Sequence, residues 1–315
     1  MGKHHIIVIT VMITISTMLY FTENPKQKLE EGILEETILE KRRSKIKTVC
    51  DQFNNNMRTE YSSLENRKNP VNSLAGTFFQ IDENIHFLCT VLKGGSSSWE
   101  VFFSMNKIDR VLLDACQDNQ LFIGNCPSKV NIRIVQVRHP LARLLAAYRH
   151  VFKNSGWRSL QGKSRLGPEQ VAIFSASWQE FVENIVLGDY FNRTEAVMED
   201  YDASGVWIKH HWAPFWYTCG LCSASFEPDL VIKTETLSQD IGPVLGLLGI
   251  QNNTSFPHIH IVGTDNQTDT ESSEDVVQQY YSQLTKMQVM RLYQMYELDH
   301  LLFGYSPQKY IDLAK

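Results

Sequence analysis

The sequence predicts an α/β domain with a central, mostly parallel sheet, preceded by a membrane anchor and a stem. Three observations carry this. Short β-branched apolar runs alternate with stretches of helical periodicity beyond about residue 78. A charge-free run of sixteen residues lies near the N-terminus. A fifty-residue window, 119–168, carries nine basic residues and no carboxylate.

The N-terminal run, 6–21, reads IIVITVMITISTMLYF and follows Lys3, His4 and His5. As a helix it spans about 24 Å, short of a full hydrocarbon core but suited to a thin membrane of the early secretory pathway. Signal peptide and anchor both fit such a run. Tyr20, Phe21 and Thr22 offer no small-residue cleavage site, which favours a signal-anchor. Lys3 then places residues 1–5 in the cytosol and the remainder in an oxidising lumen. Six cysteines (50, 89, 116, 126, 219 and 222) and sequons at Asn192, Asn252, Asn253 and Asn266 agree with that placement.

Residues 22–77 are rich in Glu, Lys, Asn and Arg and poor in aromatics, and are expected to form a stem, helical in part. The folded domain is expected at 78–315. Within it, 84–92 (NIHFLCTVL) reads as a buried strand. A helix is expected over 98–113, with Trp99, Phe102, Phe103, Ile108, Val111 and Leu112 at helical spacing. The period-two run 130–137 (VNIRIVQV) is the next strand. Pro140 opens a helix through 152, and 178–186 forms another. A short strand follows at 230–233 (LVIK). Thr285 and Gln288 form a capping box ahead of a helix that Gly304 ends.

Charge is unevenly placed. Residues 1–118 hold 14 basic and 15 acidic side chains, whereas 169–315 hold seven and 20. The carboxylate-free window between them implies an anionic ligand. Six of its nine basic residues are arginine, which favours planar recognition of phosphate, sulfate or carboxylate. The acidic remainder argues against nucleic acid.

Two stretches concentrate this chemistry. The first, 87–103, reads FLCTVLKGGSSSWEVFF. A strand, a Gly/Ser loop and a helix present backbone N–H groups to an anion. Gly94 and Gly95 permit close approach, Ser96, Ser97 and Ser98 add hydroxyls, and Lys93 adds a movable charge. The lysine precedes the glycines, so this is not a Walker A loop. The second stretch, 137–152, reads VRHPLARLLAAYRHVF. Arg138 ends a strand, at the sheet edge where ligands of open α/β sheets bind. Arg143 and Arg149 lie along the helix that follows and either face the ligand or solvate the helix surface. Two such loops imply a ligand with two anionic groups.

At these loops the chain resembles the Golgi carbohydrate sulfotransferases of the chondroitin/dermatan 4-O- and HNK-1 sulfotransferase family. LKGGSSSW, 92–99, stands where that family has P-K-x-x-x-[ST]-x-W for the 5′-phosphosulfate of the donor PAPS. RHPLARLLAAYR, 138–149, stands where it has R-x-P-x-x-R-L-x-S-A-Y-R for the 3′-phosphate. HWAPFWYTCGLC (211–222), KTETL (233–237) and a closing helical stretch (281–305) follow in the family's order. The chain departs from the pattern at Leu92 for proline and Ala146 for serine. Gly242 and Pro243 interrupt a helix that is usually continuous.

The resemblance implies a single sulfotransferase-type domain with a P-loop-like PAPS-binding loop. It implies sulfuryl transfer from PAPS, the co-substrate, to a hydroxyl of a glycan, without a metal. The acceptor would be chondroitin- or dermatan-like or end in GalNAc or glucuronate. The protein would be a single-pass type II protein of the Golgi membrane with a lumenal catalytic domain. Lys93 would stabilise the oxygen between sulfate and leaving phosphate. Gly94, Gly95, Ser96, Ser97 and Ser98 would hold the 5′-phosphate, and Arg138, with Arg143 and the backbone near Ala146, the 3′-phosphate. His211 is the candidate base, with His139 and Glu100 as rivals. The lone C-x-x-C of Cys219 and Cys222 lacks a zinc partner pair, so structural disulfides are expected, their pairing open. Two other readings stand beside this one. An impaired relative that binds anionic glycans would suit Ala146. A nucleotide-dependent kinase would want a lysine after the glycines and a metal-binding aspartate after a strand.

Overall fold

A computed structural model describes residues 37–57, 76–110, 130–150, 176–188, 211–222, 226–250, 254–257 and 273–315. The expected anchor, the four sequons, Cys116 and Cys126 lie outside the described residues. Among those described, no helix is long and apolar enough to cross a membrane.

Four strands form one sheet in the order β1-β2-β3-β4: β1 Gly76–Ile81, β2 Asn84–Thr90, β3 Arg133–Val137 and β4 Leu230–Lys233. β2, β3 and β4 run parallel, as the alternation of strands and helices predicts. β1 is an added antiparallel edge, joined to β2 through a tight turn at Asp82 and Glu83, with Ile81 opposite Asn84. Asp82 takes the left-handed conformation there, at φ 52. No glycine marks that turn, which hid β1 from the sequence reading.

Period-two alternation sends Phe87 and Cys89 to one face of the sheet and Leu88 to the other. On one face, α2 (Ser96–Asn106) and α6 (Leu237–Leu247) cover Leu88, Ile134, Leu230 and Ile232. On the other, α5 (Phe215–Thr218) and α9 (Glu297–Phe303) cover Phe87, Val135, Val137 and Val231. A third core is helical. It is built from α3 (Pro140–Tyr148), α4 (Trp178–Glu180, continuing as a π-helix Phe181–Val186), α7 (Ser273–Tyr281), α8 (Lys286–Met295) and α10 (Gln308–Leu313).

Three expectations need correction. The stem boundary at 78 is too late, because α1 (Ile38–Met57) belongs to the compact unit from Leu39 onward. Leu39 is buried in one sheet-face core and Ile46 in the other, so the helix crosses the free edge of β4. There Arg42 Nη1 donates to Val231 O at 3.0 Å, and Asp240 Oδ2 accepts from Lys233 N at 3.0 Å. Arg42 and Asp240 are themselves paired at 2.6 Å. One ion pair thus satisfies both polar groups of an exposed strand edge. Cys50 of α1 is bonded to Cys222, and Cys89 to Cys219.

The helix expected over 98–113 stops at Asn106. Lys107 adopts φ 53, and Ile108 N donates back to Phe103 O at 2.9 Å, a Schellman stop with lysine where glycine is usual. Gly242 and Pro243 do not interrupt α6, which runs continuously through both. The pair is exposed, while Leu237, Ile241, Val244 and Leu245 form a buried stripe. Burial of that stripe outweighs the cost of one lost helical hydrogen bond.

Candidate active site

Thr90, Val137 and Lys233 end three parallel strands at one edge of the sheet, so the loops after them converge. The loop after β2 turns tightly, with Gly94 N donating to Val91 O at 2.8 Å and Lys93 at φ 68. Gly95, at φ 118, is the N-cap of α2 and supplies no side-chain cap. Both glycines are required. A Cβ on Gly94 would stand 2.9 Å from Val91 O and 3.2 Å from the Phe215 ring, and one on Gly95 would overlap the Gln136 amide.

Every carbonyl of this loop faces the protein. Leu92 O accepts from Arg143 Nε at 3.0 Å, Lys93 O from Arg138 Nη1 at 3.5 Å, and Gly94 O from Thr234 Oγ1 at 2.9 Å. In a trans peptide the N–H points opposite its C=O. The Gly95 N–H therefore points away from Thr234 and joins those of the uncapped first turn of α2. Ser96 and Ser97 are the partly exposed hydroxyls of that turn. Ser98, expected among the ligand groups, is 3% exposed, with its N–H bonded to Gly95 O at 3.1 Å. Gln136 holds the loop from below, accepting from Trp99 Nε1 and lying 3.5 Å from Thr234 Oγ1.

Arg138 stands beside this turn, half-buried, in contact with Lys93 O. Burial lowers its pKa, and Glu235, Tyr310 and Tyr305 oppose that shift. An uncapped helix start, a lysine and a desolvated guanidinium thus stand together at neighbouring strand ends, each a group that attracts an anion. The profile of the sulfotransferase family matches residues 76–306, which include all of these groups. The chain belongs to the sulfotransferase family. It is 24% identical to carbohydrate sulfotransferase 9 of Homo sapiens over 289 residues, 85% of this chain and 60% of that protein. Carbohydrate sulfotransferase 11 of Danio rerio is 28% identical over 203 residues, 58% of this chain and 49% of its own. Carbohydrate sulfotransferase 8 of Mus musculus is 23% identical over 269 residues, 78% and 60% respectively. The chain thus spans between half and three-fifths of the length of these relatives. No solved structure matches it.

Within this sulfotransferase fold, Arg143 is not a ligand group as expected. It is 1% exposed, donates to Leu92 O and to Ala213 O (2.6 Å), and lies 4.5 Å over the Phe215 ring. Burial brings its pKa down to about 10. It rivets the β2 loop to the segment 213–215. That segment is held from its other side by Asp299, which accepts from Phe215 N and Trp216 N at 2.8 Å each. Burial pushes Asp299 up to about 6. Ala146 is half-buried, two turns into α3, and Arg149 lies at the far end of that helix, about 16 Å of helical rise beyond Arg138.

The candidate bases separate. His139 caps α3, its Nδ1 accepting from Leu141 N at 3.2 Å while Nε2 faces Ser306 O at 2.9 Å. Burial takes its pKa to about 4. Both ring nitrogens are engaged, so it holds structure. Glu100 is exposed on α2, 3.8 Å from Arg110. His211 is 7% exposed and opens the segment that Arg143 and Asp299 fix against the loop. Among the described residues no group of His, Cys, Asp or Glu is arranged to hold a metal ion.

Sequence reasoning missed Thr234, Glu235 and Gln136. Glu235 accepts from His139 N at 2.7 Å and from Tyr305 Oη at 2.8 Å, tying the loop after β3 to the C-terminal segment. Polar residues at the very end of a buried strand, as in QVR and KTE, are the signal that could have found them.

Proposed function

We propose that the chain transfers a sulfuryl group from PAPS to a hydroxyl of a glycan. One observation carries this reading: an uncapped helix start, preceded in its loop by Lys93, beside the half-buried guanidinium of Arg138. PAPS supplies the activated sulfuryl group. The N–H groups of residues 95–97 and the start of α2 bind its 5′-phosphate, and Arg138 binds its 3′-phosphate. The acceptor oxygen bonds to sulfur as the bond from sulfur to the phosphate oxygen breaks, leaving adenosine 3′,5′-bisphosphate. Lys93 neutralises the charge gathering on that oxygen. The hydroxyl proton passes to a base, for which His211 is the candidate.

The acceptor is an acidic glycan chain: the names of the relatives support a carbohydrate, and the carboxylate-free window supports an acidic one. A lumenal Golgi placement on an N-terminal anchor is supported by two disulfides, which persist in oxidising compartments. Ala146 and the burial of His211 favour a second reading, a binding protein with impaired transfer.

Thermal stability of the purified chain with and without adenosine 3′,5′-bisphosphate tests the donor site, and radiolabelled-sulfate transfer across a glycan panel tests the reaction. Stabilisation with transfer is expected. No stabilisation at saturating nucleotide refutes the donor site, and stabilisation without transfer to any glycan selects the second reading. Lys93→Ala is expected to lower transfer by about 10²–10³ while keeping nucleotide binding. Retained transfer would remove Lys93 from its role.

A further inference from the structure

Four cations follow one another along the C-terminal edge of the sheet. Lys93 follows β2, Arg138 follows β3, Lys233 ends β4, and Lys45 comes from α1, which covers the free edge of β4. Adjacent strands are about 4.8 Å apart, so the row extends past the donor loop by at least two strand spacings. The donor reading accounts for Lys93 and Arg138. It gives Lys233 and Lys45 nothing to do.

These two lysines meet around two consecutive residues. The Lys233 ammonium sits 4.3 Å over the ring of Tyr305. The Lys45 ammonium lies 2.7 Å from where a Cβ on Gly304 would be. Among the described residues neither lysine makes an ion pair. The two carboxylates facing Lys233 are engaged elsewhere. Glu235 takes the His139 N–H and the Tyr305 hydroxyl, and Asp240 takes Arg42, the Lys233 N–H and the Thr236 hydroxyl. Arg42, Lys45 and Lys233 thus meet Asp240 and Glu235 at the end of β4, three cations against two carboxylates, which leaves one positive charge over. Burial is the main cause lowering the Lys233 pKa; repulsion from Arg42 and Lys45 adds to it, and Glu235 and Asp240 oppose it. An oxyanion of the ligand would balance the charge left over.

We propose that Lys233 and Lys45 form an oxyanion subsite that holds a carboxylate or sulfate of the acidic acceptor beside the transfer loop. This rests on the sulfotransferase reading above and adds a place for the acceptor's charge. It also gives the N-terminal helix a part in substrate recognition.

The test uses the full chain, Lys45→Gln and, separately, Lys233→Gln. Three probes are titrated by calorimetry: a chondroitin oligosaccharide, the same oligosaccharide with its carboxyls reduced, and adenosine 3′,5′-bisphosphate. Each substitution is expected to weaken chondroitin about fivefold, the order of one partly exposed ion pair, and to leave the other two probes unchanged. Lys45 is exposed on its helix, so its variant folds even if Lys233→Gln does not. Unchanged chondroitin affinity in Lys45→Gln overturns the subsite, as does equal loss for the carboxyl-reduced probe. Loss confined to adenosine 3′,5′-bisphosphate also overturns it and assigns the lysines to a donor phosphate. Lysine-dependent chondroitin binding in a chain that transfers no sulfate upholds the subsite and removes the transferase reading instead.

Discussion

Replacing Gly95 with alanine probes the proposed donor loop most directly. Two costs add. At φ 118 a side-chain-bearing residue sits in a sparsely populated backbone region, which costs about 1–3 kcal/mol. The new methyl also overlaps the Gln136 amide, which is fully buried and accepts from the buried Trp99 indole. Displacing it strands the indole N–H, at about 1–3 kcal/mol. Gly95→Ala is thus expected to destabilise by about 2–6 kcal/mol, a fall in Tm of at least roughly 5 °C for a unit of this size. The N–H groups of residues 95–97 move with the loop, so adenosine 3′,5′-bisphosphate binding should fall by at least about tenfold. Scanning calorimetry and titration calorimetry read the two effects. Gly95→Ala combined with Gln136→Ala removes the overlap and keeps the backbone strain, so its loss should be smaller than the sum of the single losses. Wild-type Tm and affinity in Gly95→Ala would refute the claim that this loop needs glycine for its shape.

Arg42→Met should cost about 3–5 kcal/mol, because it leaves the Asp240 carboxylate, 1% exposed, without its charge partner and uncovers Val231 O. Denaturant unfolding measures this, and adding Asp240→Asn should recover part of it. Ala146→Ser should tighten adenosine 3′,5′-bisphosphate about tenfold or more by restoring a hydroxyl donor to a charged phosphate, and an unchanged Kd would show that another group fills that role. Stability should fall as pH drops from 6.5 towards 4, since desolvation holds the half-buried His139 and the buried His300 neutral, with pKa values lowered to about 4. Asp299 acts in the opposite sense. Its pKa, raised to about 6, makes its contribution full below 3.8 and lost as pH rises through 6, so Asp299→Asn should steepen the acid loss of stability.

Much of the sheet was legible because its signals are local. VNIRIVQV and LVIK alternate or run apolar within themselves, and Thr285 with Gln288 forms the capping box that the structure contains. The loop at Lys93 and the strand end at Arg138 were legible for the same reason. What escaped depends on distant partners. Arg143 reads as a ligand group from its place in an arginine-rich helix, yet Leu92 O and Ala213 O claim it from 51 and 70 residues away. Residues 38–57 read as spacer because their composition is polar. Only β4, nearly 200 residues later, reveals why Arg42 must be there. His139 likewise offers two ring nitrogens in the sequence and neither in the fold, because Leu141 and Ser306 engage them.

The burial of Arg143 shapes the site more than a single lost anion contact would suggest. An anion cradle made of backbone N–H groups has no side chain to fix its direction. It is aimed only if its carbonyls are held on the opposite side. Leu92, Lys93 and Gly94 each meet a donor from a different element: Arg143 on α3, Arg138 at the end of β3 and Thr234 at the end of β4. Donors aimed before the ligand arrives need no reorganisation during the reaction, which is where electrostatic catalysis gains most. Arg143 suits this because a guanidinium can bond two carbonyls in one plane while its face lies on Phe215. Lysine keeps the charge but lacks that planar fork. Arg143, bonded to a carbonyl behind the loop, therefore helps fix which way the loop's N–H groups face.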